Sequence, residues 1–377
     1  MRLSCLQENL NRGLGIVGRA VASRTTLPIT QNVLLSTDHS RLKLATTNLE
    51  IAISTWIGAD VETEGAVTVP ARLLTEFVNS LPNEKIDIAM TARPRGLHLR
   101  CARFEAHING TDAEEFPPIP SIQAGLVAKV APQDLKAAIS QVVFAAATED
   151  SRPVLTGVKI EMNGDSFTFA AADGFRLAVH TGALAEAISD SLDFIVPART
   201  LQELNRLIGD QEELVEMTVT AAKNQVLFRL KNVEMVSQLI QGTFPNYSQL
   251  IPQQYGTRAV MDLQEFSRAA RAASIFARDG SGIIRLQMTP VPEAMAGKLL
   301  ISSRAEEVGD NQGEIDAKVD GEEAKIAFNS RYLLEVLSVL ERGEVALETS
   351  TPSSPGVIRP VGSKNYVHVV MPMFVQW

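Results

Sequence analysis

Histidines and cysteines are the side chains of this sequence that are best suited to bind metals or to act as bases and nucleophiles near neutral pH. The five histidines show no metal-ligand spacing, and no Ser/His/Asp order of a hydrolase stands out. These histidines are His39, His98, His107, His180 and His368. The two cysteines, Cys5 and Cys101, are too few for a disulfide framework or a zinc site. The sequence therefore predicts no catalytic residue, no metal site and no cofactor.

Two glycine-containing segments also fail as phosphate-binding loops. These are AADG at 171–174 and GDNQG at 309–313, and the spacing of their glycines is wrong for such a loop. We therefore interpret the chain as a protein that is not an enzyme. A hydrolase with its site between repeated units remains an alternative of a different class.

Composition sets further bounds on the class of protein. A chain of 377 residues with 45% hydrophobic residues suits two to three globular domains. The net charge of −9 argues against a generally basic nucleic-acid binder, although a local surface can carry the opposite sign. The N-terminal segment lacks a signal-peptide core, and no apolar run approaches the length of a membrane span. We expect a cytoplasmic protein with no membrane partner.

One strand-to-helix pattern occurs three times, and it organises the elements that would have to position any site. It reads AVTVPARLLTEFVNSL at 66–81, DFIVPARTLQELNRLI at 193–208 and KIAFNSRYLLEVLSVL at 325–340. Each copy has an arginine followed four residues later by a glutamate: Arg72 and Glu76, Arg199 and Glu203, Arg331 and Glu335. Residues four apart face each other on a helix, so these pairs can neutralise each other on its exposed face. Three copies, each about a third of the chain apart, predict three similar domains.

Each third also has an earlier amphipathic segment and a set of alternating runs. The amphipathic segments lie at 8–24, 132–147 and 262–278. The alternating runs, bounded by Gly, Asn or Asp, predict about eight strands in each third. The predicted fold class is therefore α+β, with two helices packed on antiparallel sheets in each of three tandem domains.

Proline-rich segments mark the joints between the thirds. They are FPPIP at 116–120 and FPNYSQLIP at 244–252. We predict domains at 1–126 (N-terminal), 127–253 (central) and 254–377 (C-terminal).

Three motifs, taken with the repeat, connect the whole chain to a known family. They are AADGFRLAV at 171–179, GTFPNYSQLIP at 242–252 and VMPM at 370–373. In their order and spacing the chain resembles the bacterial sliding clamps, the beta subunits of DNA polymerase III. The resemblance implies three clamp domains per chain and a head-to-tail homodimer that closes into a six-domain ring around duplex DNA.

The function implied by this resemblance is that of a DNA sliding clamp. Such a clamp encircles double-stranded DNA without sequence specificity and tethers the replicative polymerase and other partners for processive synthesis. The alternative is a non-catalytic three-repeat scaffold that binds peptides but not DNA.

Basic charge on the predicted helices agrees with a hole that tolerates phosphates. Those segments carry a net positive charge although the whole chain is acidic. Seven arginines are predicted to face DNA: Arg24, Arg72, Arg199, Arg206, Arg268, Arg271 and Arg331. Glu149 stands where related clamps often have an uncharged polar group, which disfavours phosphate contact at that loop. No base-reading motif is present, as expected for binding that ignores sequence.

The resemblance also implies an apolar cleft between the second and third domains, which takes short peptides from the polymerase, the clamp loader and repair proteins. One side of it would comprise Arg152, Leu155, Ala172, Gly174, Phe175, Arg176, Leu177, Pro245, Gln249 and Leu250. Asn329, Tyr332, Val369, Val370, Met371, Pro372 and Met373 would supply the rest. Flexible, polarizable methionines suit varied peptides. The simpler interpretation is core packing around a buried C-terminal strand.

This chain departs from the family pattern at the predicted cleft. Phe175 and Gln249 stand where related clamps often have His and Arg, which predicts a more apolar cleft with a different peptide preference. The chain also runs two residues beyond the family's usual end. Phe374 and Trp377 are therefore candidates to line the rim of the cleft or to occupy part of it.

The subunit contact implied by the resemblance centres on one aromatic residue. Phe104 aligns with a position that packs into a pocket of the third domain of the other subunit, with Ile275 and Phe276 as candidate partners. Core packing is the alternative interpretation of all three side chains.

Overall fold

The computed structural model describes residues 1–291 and 297–377. Its six helices are α1 (Gln7–Val17), α2 (Ala71–Ser80), α3 (Pro132–Val142), α4 (Ala198–Ile208), α5 (Leu263–Arg278) and α6 (Ser330–Val339). Its strands are β1 (Arg2–Leu6), β2 (Asn32–Asp38), β3 (Arg41–Thr47), β4 (Ile51–Gly58), β5 (Asp60–Thr63), β6 (Ala66–Pro70), β7 (Lys85–Ala92), β8 (Arg95–Cys101), β9 (Phe104–Asn109), β10 (Leu126–Val130), β11 (Gly157–Ala172), β12 (Arg176–Pro197), β13 (Val215–Val219), β14 (Gln225–Arg229), β15 (Val233–Gln238), β16 (Thr257–Asp262), β17 (Ile283–Pro290), β18 (Gly297–Ala305), β19 (Gly309–Gly321), β20 (Ala324–Asn329), β21 (Glu344–Thr349), β22 (Gly356–Pro360) and β23 (Tyr366–Val370).

The threefold strand-to-helix repeat is confirmed as β6–α2, β12–α4 and β20–α6. The leucine shared by the three copies, at positions 74, 201 and 333, is completely buried in each. This is the result expected when the apolar stripe of an amphipathic helix packs on a sheet. The longest helix, α5, has 16 residues, and across 1–291 and 297–377 no helix is long and apolar enough to cross a membrane.

The chain forms two compact units. The first comprises Met1–Pro132, Leu184–Ile188 and Thr200–Leu239. It contains a five-stranded sheet in the order β5-β1-β7-β8-β9 and an eight-stranded sheet in the order β10-β13-β14-β15-β4-β3-β2-β6. Helix α1 packs against α2 and against β4. The eight-stranded sheet is continuous because β15 pairs antiparallel with β4, so strands of the first and central thirds share one sheet.

The second unit comprises Gln133–Ala183, Ser189–Arg199 and Ile240–Trp377. Its ten-stranded sheet has the order β11-β12-β23-β22-β21-β16-β19-β18-β17-β20. Helix α5 packs on α6 and on strands β17, β18 and β19. Here too a strand pair joins adjacent thirds, because β12 pairs antiparallel with β23.

Two sequence predictions about element boundaries were wrong. The predicted helix at 8–24 ends at Val17 and is followed by one turn of 3-10 helix, Gly18–Ala20, so Arg24 lies in a loop. Gly18 begins this turn, and a glycine costs a helix about 1 kcal/mol relative to alanine, which favours an end at this position. The alternating runs GVKIEMN at 157–163 and SFTFAAADG at 166–174 predict two separate strands, but the structure has one strand, β11, that spans the first run and continues through the second as far as Ala172. Gly164, between the two runs, has a φ of +59°.

Candidate functional site

Strands β12 and β23 form the floor of an apolar cleft in the second unit. Their antiparallel register sets Leu177 opposite Val369. Both side chains belong to a buried cluster that also includes Leu155, Ala172 and Phe244. The register therefore brings together residues that lie almost 200 positions apart in the sequence.

A cavity of about 390 Å³ opens above this floor. It is lined by Ala172, Gly174, Arg176, Leu177, Gln249, Leu250, Pro252, Pro355, Val369 and Met371. Eight of these ten residues belong to the cleft predicted from the sequence. Pro252 and Pro355 were missed; Pro252 ends the motif FPNYSQLIP, whereas no sequence signal marked Pro355.

Gly174 lines the cavity in a backbone conformation that favours glycine. Its φ of +96° lies in the left-handed region, and a Cβ there would come within 2.8 Å of Nη2 of Arg152. Leu250 and Met371 remain about half exposed at 52% and 45%. Exposed apolar side chains around a concave apolar surface are the composition of a site for a small ligand or a short peptide.

Arg176 fixes the geometry beside the cavity. Its buried guanidinium donates to Oδ2 of Asp173 at 3.1 Å, to the carbonyl oxygen of Phe144 at 2.7 Å and to a carboxylate oxygen of Glu335. It also stacks over the ring of Tyr332 at 4.3 Å. The charge is thus paired and hydrogen-bonded, as a buried arginine requires.

Glu335 completes this network by bridging two arginines. Burial alone would raise its pKa, but hydrogen bonds from Arg331 and Arg176 outweigh burial and hold the pKa below its usual range. Arg331 donates from Nε to Oε1 of Glu335 at 2.8 Å. The carboxylate therefore stays ionised and ties helix α6 to strand β12.

A second, smaller cavity of about 180 Å³ lies against the same arginine. Its lining comprises Ala146, Ala147, Thr148, Glu149, Ser151, Arg152, Asp173, Phe175, Arg176, Arg331 and Tyr332. Four of these, Arg152, Phe175, Arg176 and Tyr332, belong to the predicted cleft. Arg331, predicted to face DNA, also lines this cavity and is therefore adjacent to the cleft.

The remaining predicted cleft residues line neither cavity. Leu155 and Val370 are buried, so core packing describes these two side chains. Asn329 caps helix α6, because its side chain accepts hydrogen bonds from the backbone N–H groups of Arg331 and Tyr332. The other three, Pro245, Pro372 and Met373, lie outside both linings.

The C-terminal tail follows the edge of β20 and leaves the larger cavity open. The backbone N–H of Met373 donates to the carbonyl oxygen of Ala327 at 2.7 Å. The ring of Trp377 lies 5.9 Å from the guanidinium of Arg285 and 5.8 Å from Nζ of Lys325. Phe374 is 94% exposed and lines neither cavity. The tail thus covers a strand edge, and its two aromatic residues do not occupy the cleft.

His368 in β23 makes the strand below the cleft sensitive to acid. It is completely buried, its Nε2 has no hydrogen-bond partner among the described residues, and burial followed by the nearby Arg176 lowers its pKa to about 3. The ordinary pKa of a histidine is about 6.5. Below that pH the side chain of residue 368 is protonated in the unfolded chain, whereas in the folded chain it stays neutral until the pH approaches 3. The free energy of unfolding therefore falls as the pH drops from about 6.5 towards 3.

We expect His368→Leu to reduce this acid sensitivity. At about pH 5 the single site should cost the wild-type chain about 2 kcal/mol relative to neutral pH, and the variant should lack that loss. Urea unfolding at about pH 7.5 and pH 5 measures the difference. His39→Asn at an exposed histidine is the control, and an unchanged pH difference in His368→Leu would contradict the assignment.

All seven predicted DNA-facing arginines are exposed. Arg72 donates from Nε to Oε1 of Glu76 at 2.8 Å, which confirms the predicted pairing within α2. In the second copy, Glu203 instead accepts from Arg19 at 3.2 Å and from Arg206 at 2.7 Å. The glutamates therefore neutralise part of the basic charge on the helices.

Helices α5 and α6 form a basic groove. A depression of about 450 Å³ is lined by Leu263, Gln264, Ser267, Arg268, Arg271, Leu337, Ser338, Leu340 and Arg342. It brings Arg268 and Arg271 next to Arg342, which the sequence did not single out. Arg342 follows α6, so three guanidinium groups lie near this helix pair and can approach a phosphate backbone without reading bases.

The residues predicted for a subunit contact are largely exposed. Phe104, at the start of the edge strand β9, is 53% exposed, and Ile275 on α5 is 58% exposed. Phe276 is half-buried. Core packing is therefore wrong for Phe104 and Ile275, and both are available to a partner surface.

Models of three protein-domain families match successive parts of the chain. They are the N-terminal domain of the DNA polymerase III beta subunit over residues 1–120, its central domain over 129–246 and its C-terminal domain over 248–374. The chain is thus a protein of three related α+β domains with an apolar cleft of peptide size in its second compact unit.

Full-length relatives agree with these matches. A beta sliding clamp of Synechocystis sp. is 32% identical, and one of Bacillus subtilis is 30% identical; each alignment covers 99% of both chains. The crystal structure of the Bacillus subtilis sliding clamp superposes with a TM-score of 0.94 at 29% identity over 100% of both chains. The Pseudomonas aeruginosa sliding clamp bound to griselimycin gives a TM-score of 0.91 at 29% identity, again over 100% of both chains. The chain belongs to the family of bacterial beta sliding clamps, the DNA polymerase III beta subunits.

Proposed function

We propose that this protein is a DNA sliding clamp that encircles duplex DNA without sequence specificity and tethers the replicative polymerase for processive synthesis. The full-length match to beta sliding clamps, in sequence and in fold, is the observation that carries the proposal. The chain acts without catalysis in the cytoplasm, needs no cofactor, and relies on a separate ATP-dependent loader to open and close it.

The proposed active form is a head-to-tail homodimer of domains 1–126, 127–253 and 254–377. A heterologous contact whose rotation closes after two copies gives a ring with six domains. Two candidate contact surfaces support this assembly. Phe104 is exposed in the N-terminal domain, and Ile275, beside the half-buried Phe276, is exposed in the C-terminal domain. The edge strand β9 adds backbone groups that a second chain can pair with.

The proposed DNA surface is the arginine-bearing helices. Exposed arginines interspersed with partnered glutamates give weak attraction for phosphates, which suits a protein that must slide. Each additional phosphate contact would add salt-dependent affinity and hinder movement. Retention therefore comes from ring closure rather than from tight binding.

The proposed partner site is the cleft around the cavity lined by Leu177, Leu250 and Met371. Its size and apolar lining fit a short peptide from the polymerase, the clamp loader or a repair protein. Gln249 and Phe175 supply no charge where the family often has a cation, so the preferred peptide is more apolar here.

Retention on circular DNA tests the ring. The protein would be loaded onto a nicked plasmid with a clamp loader and ATP, isolated by gel filtration and then treated with an enzyme that cuts the plasmid once. We expect the protein to stay with the circle and to leave after linearisation. A protein that stays on linear DNA with free ends, or that never associates with the circle, supports the alternative peptide-binding scaffold.

Replacing Arg24 should weaken the DNA contact only slightly. In Arg24→Ala we expect the slope of log affinity against log salt concentration to fall by about one unit, because one phosphate contact is lost. Fluorescence anisotropy with a short duplex at several salt concentrations measures it. Lys364→Ala, in the turn before β23, removes an equal charge elsewhere and should leave the slope unchanged. An unaltered slope in Arg24→Ala would mean that Arg24 does not touch phosphate.

A further inference from the structure

Two histidines and a glutamate that are separate in the sequence meet on one face of the hairpin β8–β9. His98 lies directly opposite His107 in the antiparallel register, and Glu105 precedes His107 by two residues. Residues two apart on a strand point to the same face, so all three side chains lie together. Sequence spacing alone did not reveal the cluster because the register of the hairpin creates it.

The three ligand atoms are close enough to share one ion. The imidazole rings stack with centroids 4.2 Å apart and planes at 9°. Nε2 of His98 lies 2.5 Å from Oε1 of Glu105, and one ligand atom from each residue lies within 4.8 Å of the others. Tetrahedral zinc, with bonds of about 2.0–2.2 Å, holds its ligand atoms about 3.3 Å apart. Small rotations of these side chains reach that spacing.

We propose that His98, Glu105 and His107 form a binding site for one divalent transition-metal ion, of which Zn²⁺ is the best match. Two imidazoles and one carboxylate are a ligand set that zinc accepts, with a fourth position left for water. Magnesium and calcium prefer all-oxygen sites, so they are excluded by the two nitrogen ligands.

The site is accessible from solvent. The side chain of His98 is 25% exposed, that of Glu105 is 52% exposed, and His107 is exposed on the edge strand of its sheet. Phe104 points to the opposite face of β9, because it is one residue away from Glu105. Metal binding therefore leaves the side chain proposed for the subunit contact uncovered.

A structural pairing is the alternative role of the cluster. A hydrogen bond from His98 to Glu105 and stacked rings would by themselves stabilise a cross-strand contact by a fraction of a kcal/mol. Arg100 lies opposite Glu105 in the same hairpin and competes with a metal ion for the carboxylate. The two roles differ in one measurable respect, which is the binding of a metal ion.

Calorimetric titration of the tag-free, full-length protein with zinc chloride tests the proposal. We expect one equivalent to bind, with no competition from excess Mg²⁺. His107→Ala and Glu105→Gln should each weaken the affinity at least about tenfold, since even supporting residues of metal sites have effects of that size. Both residues are exposed, so their replacement should preserve the fold, which circular dichroism would verify.

His39→Ala is the matched control, because His39 is exposed and does not belong to the cluster, and this variant should bind zinc as the wild type does. A second readout is the melting temperature, which zinc should raise more in the wild type and in His39→Ala than in His107→Ala. Absence of zinc binding at micromolar concentrations overturns the proposal. Equal affinity in the wild type, His107→Ala and Glu105→Gln overturns it as well. Neither result depends on DNA, a loader or a partner peptide.

Discussion

Phe104→Asp should convert the proposed dimer into a monomer of 40.9 kDa. Phe104 is a large aromatic side chain that is half exposed in the single chain, and aromatic residues, Phe among them, are enriched at protein interfaces. An aspartate in place of Phe104 would have to lose its hydration inside an apolar pocket of the partner subunit. We expect the dimer dissociation constant to rise at least about a hundredfold, or about 2.7 kcal/mol. Sedimentation at micromolar concentrations measures it.

Two comparisons make this result specific. Ile275→Asp, on the other candidate surface, should have the same effect, and both variants should lose retention on a nicked circle. Leu214→Asp changes another exposed apolar residue and should remain dimeric. A dimer of unchanged strength in Phe104→Asp and Ile275→Asp would remove both residues from the interface and leave the ring without its proposed contact.

The double variant Leu250→Glu with Met371→Glu should abolish binding of partner peptides. Both side chains line the larger cavity and are about half exposed, so glutamates there add charge to the cleft without entering the core. The expected loss of affinity is at least about a hundredfold, because two apolar contacts of a buried anchor are replaced. Fluorescence anisotropy with a labelled peptide from the clamp-binding segment of the replicative polymerase measures this loss.

Val361→Glu is the control for the cleft. Val361 is comparably exposed, at 39%, and lies in the turn after β22 in the same compact unit. We expect it to bind the peptide as the wild type does, and the double variant to keep its dimer. Equal peptide affinity in the wild type, Val361→Glu and the double variant would mean that the partner site lies elsewhere on the protein.

The local features of this fold follow closely from the sequence. The repeated leucine and the arginine–glutamate spacing predicted three equivalent helices, because helical periodicity needs only neighbouring residues. Most of the larger cavity was also predicted, but through the resemblance to a family rather than through pattern. Leu177 and Val369 carry no local sign that they are neighbours.

The features that were missed depend on pairing between distant segments. The register of β8 with β9 unites His98 with His107, and the packing of the tail on β20 draws Trp377 away from the cleft. Arg24 lies in a loop because α1 ends at Val17, although the pattern of apolar residues predicts a helix as far as residue 24. Strand register and the packing of the tail depend on which distant segments pair with each other. The periodicity of apolar residues within one segment carries no information about that choice.

The junction of β4 with β15 has a consequence for synthesis of the chain. Strand β4 ends at Gly58 and its partner begins at Val233, so a ribosome adds 175 residues before the pair can form. At about 5–20 residues per second this takes roughly 10–35 s. During that interval one edge of β4 carries unsatisfied backbone groups and is open to pairing with other nascent chains. Slow translation or crowded polysomes would therefore favour misassembly at β4, where protection by a chaperone would have the greatest effect.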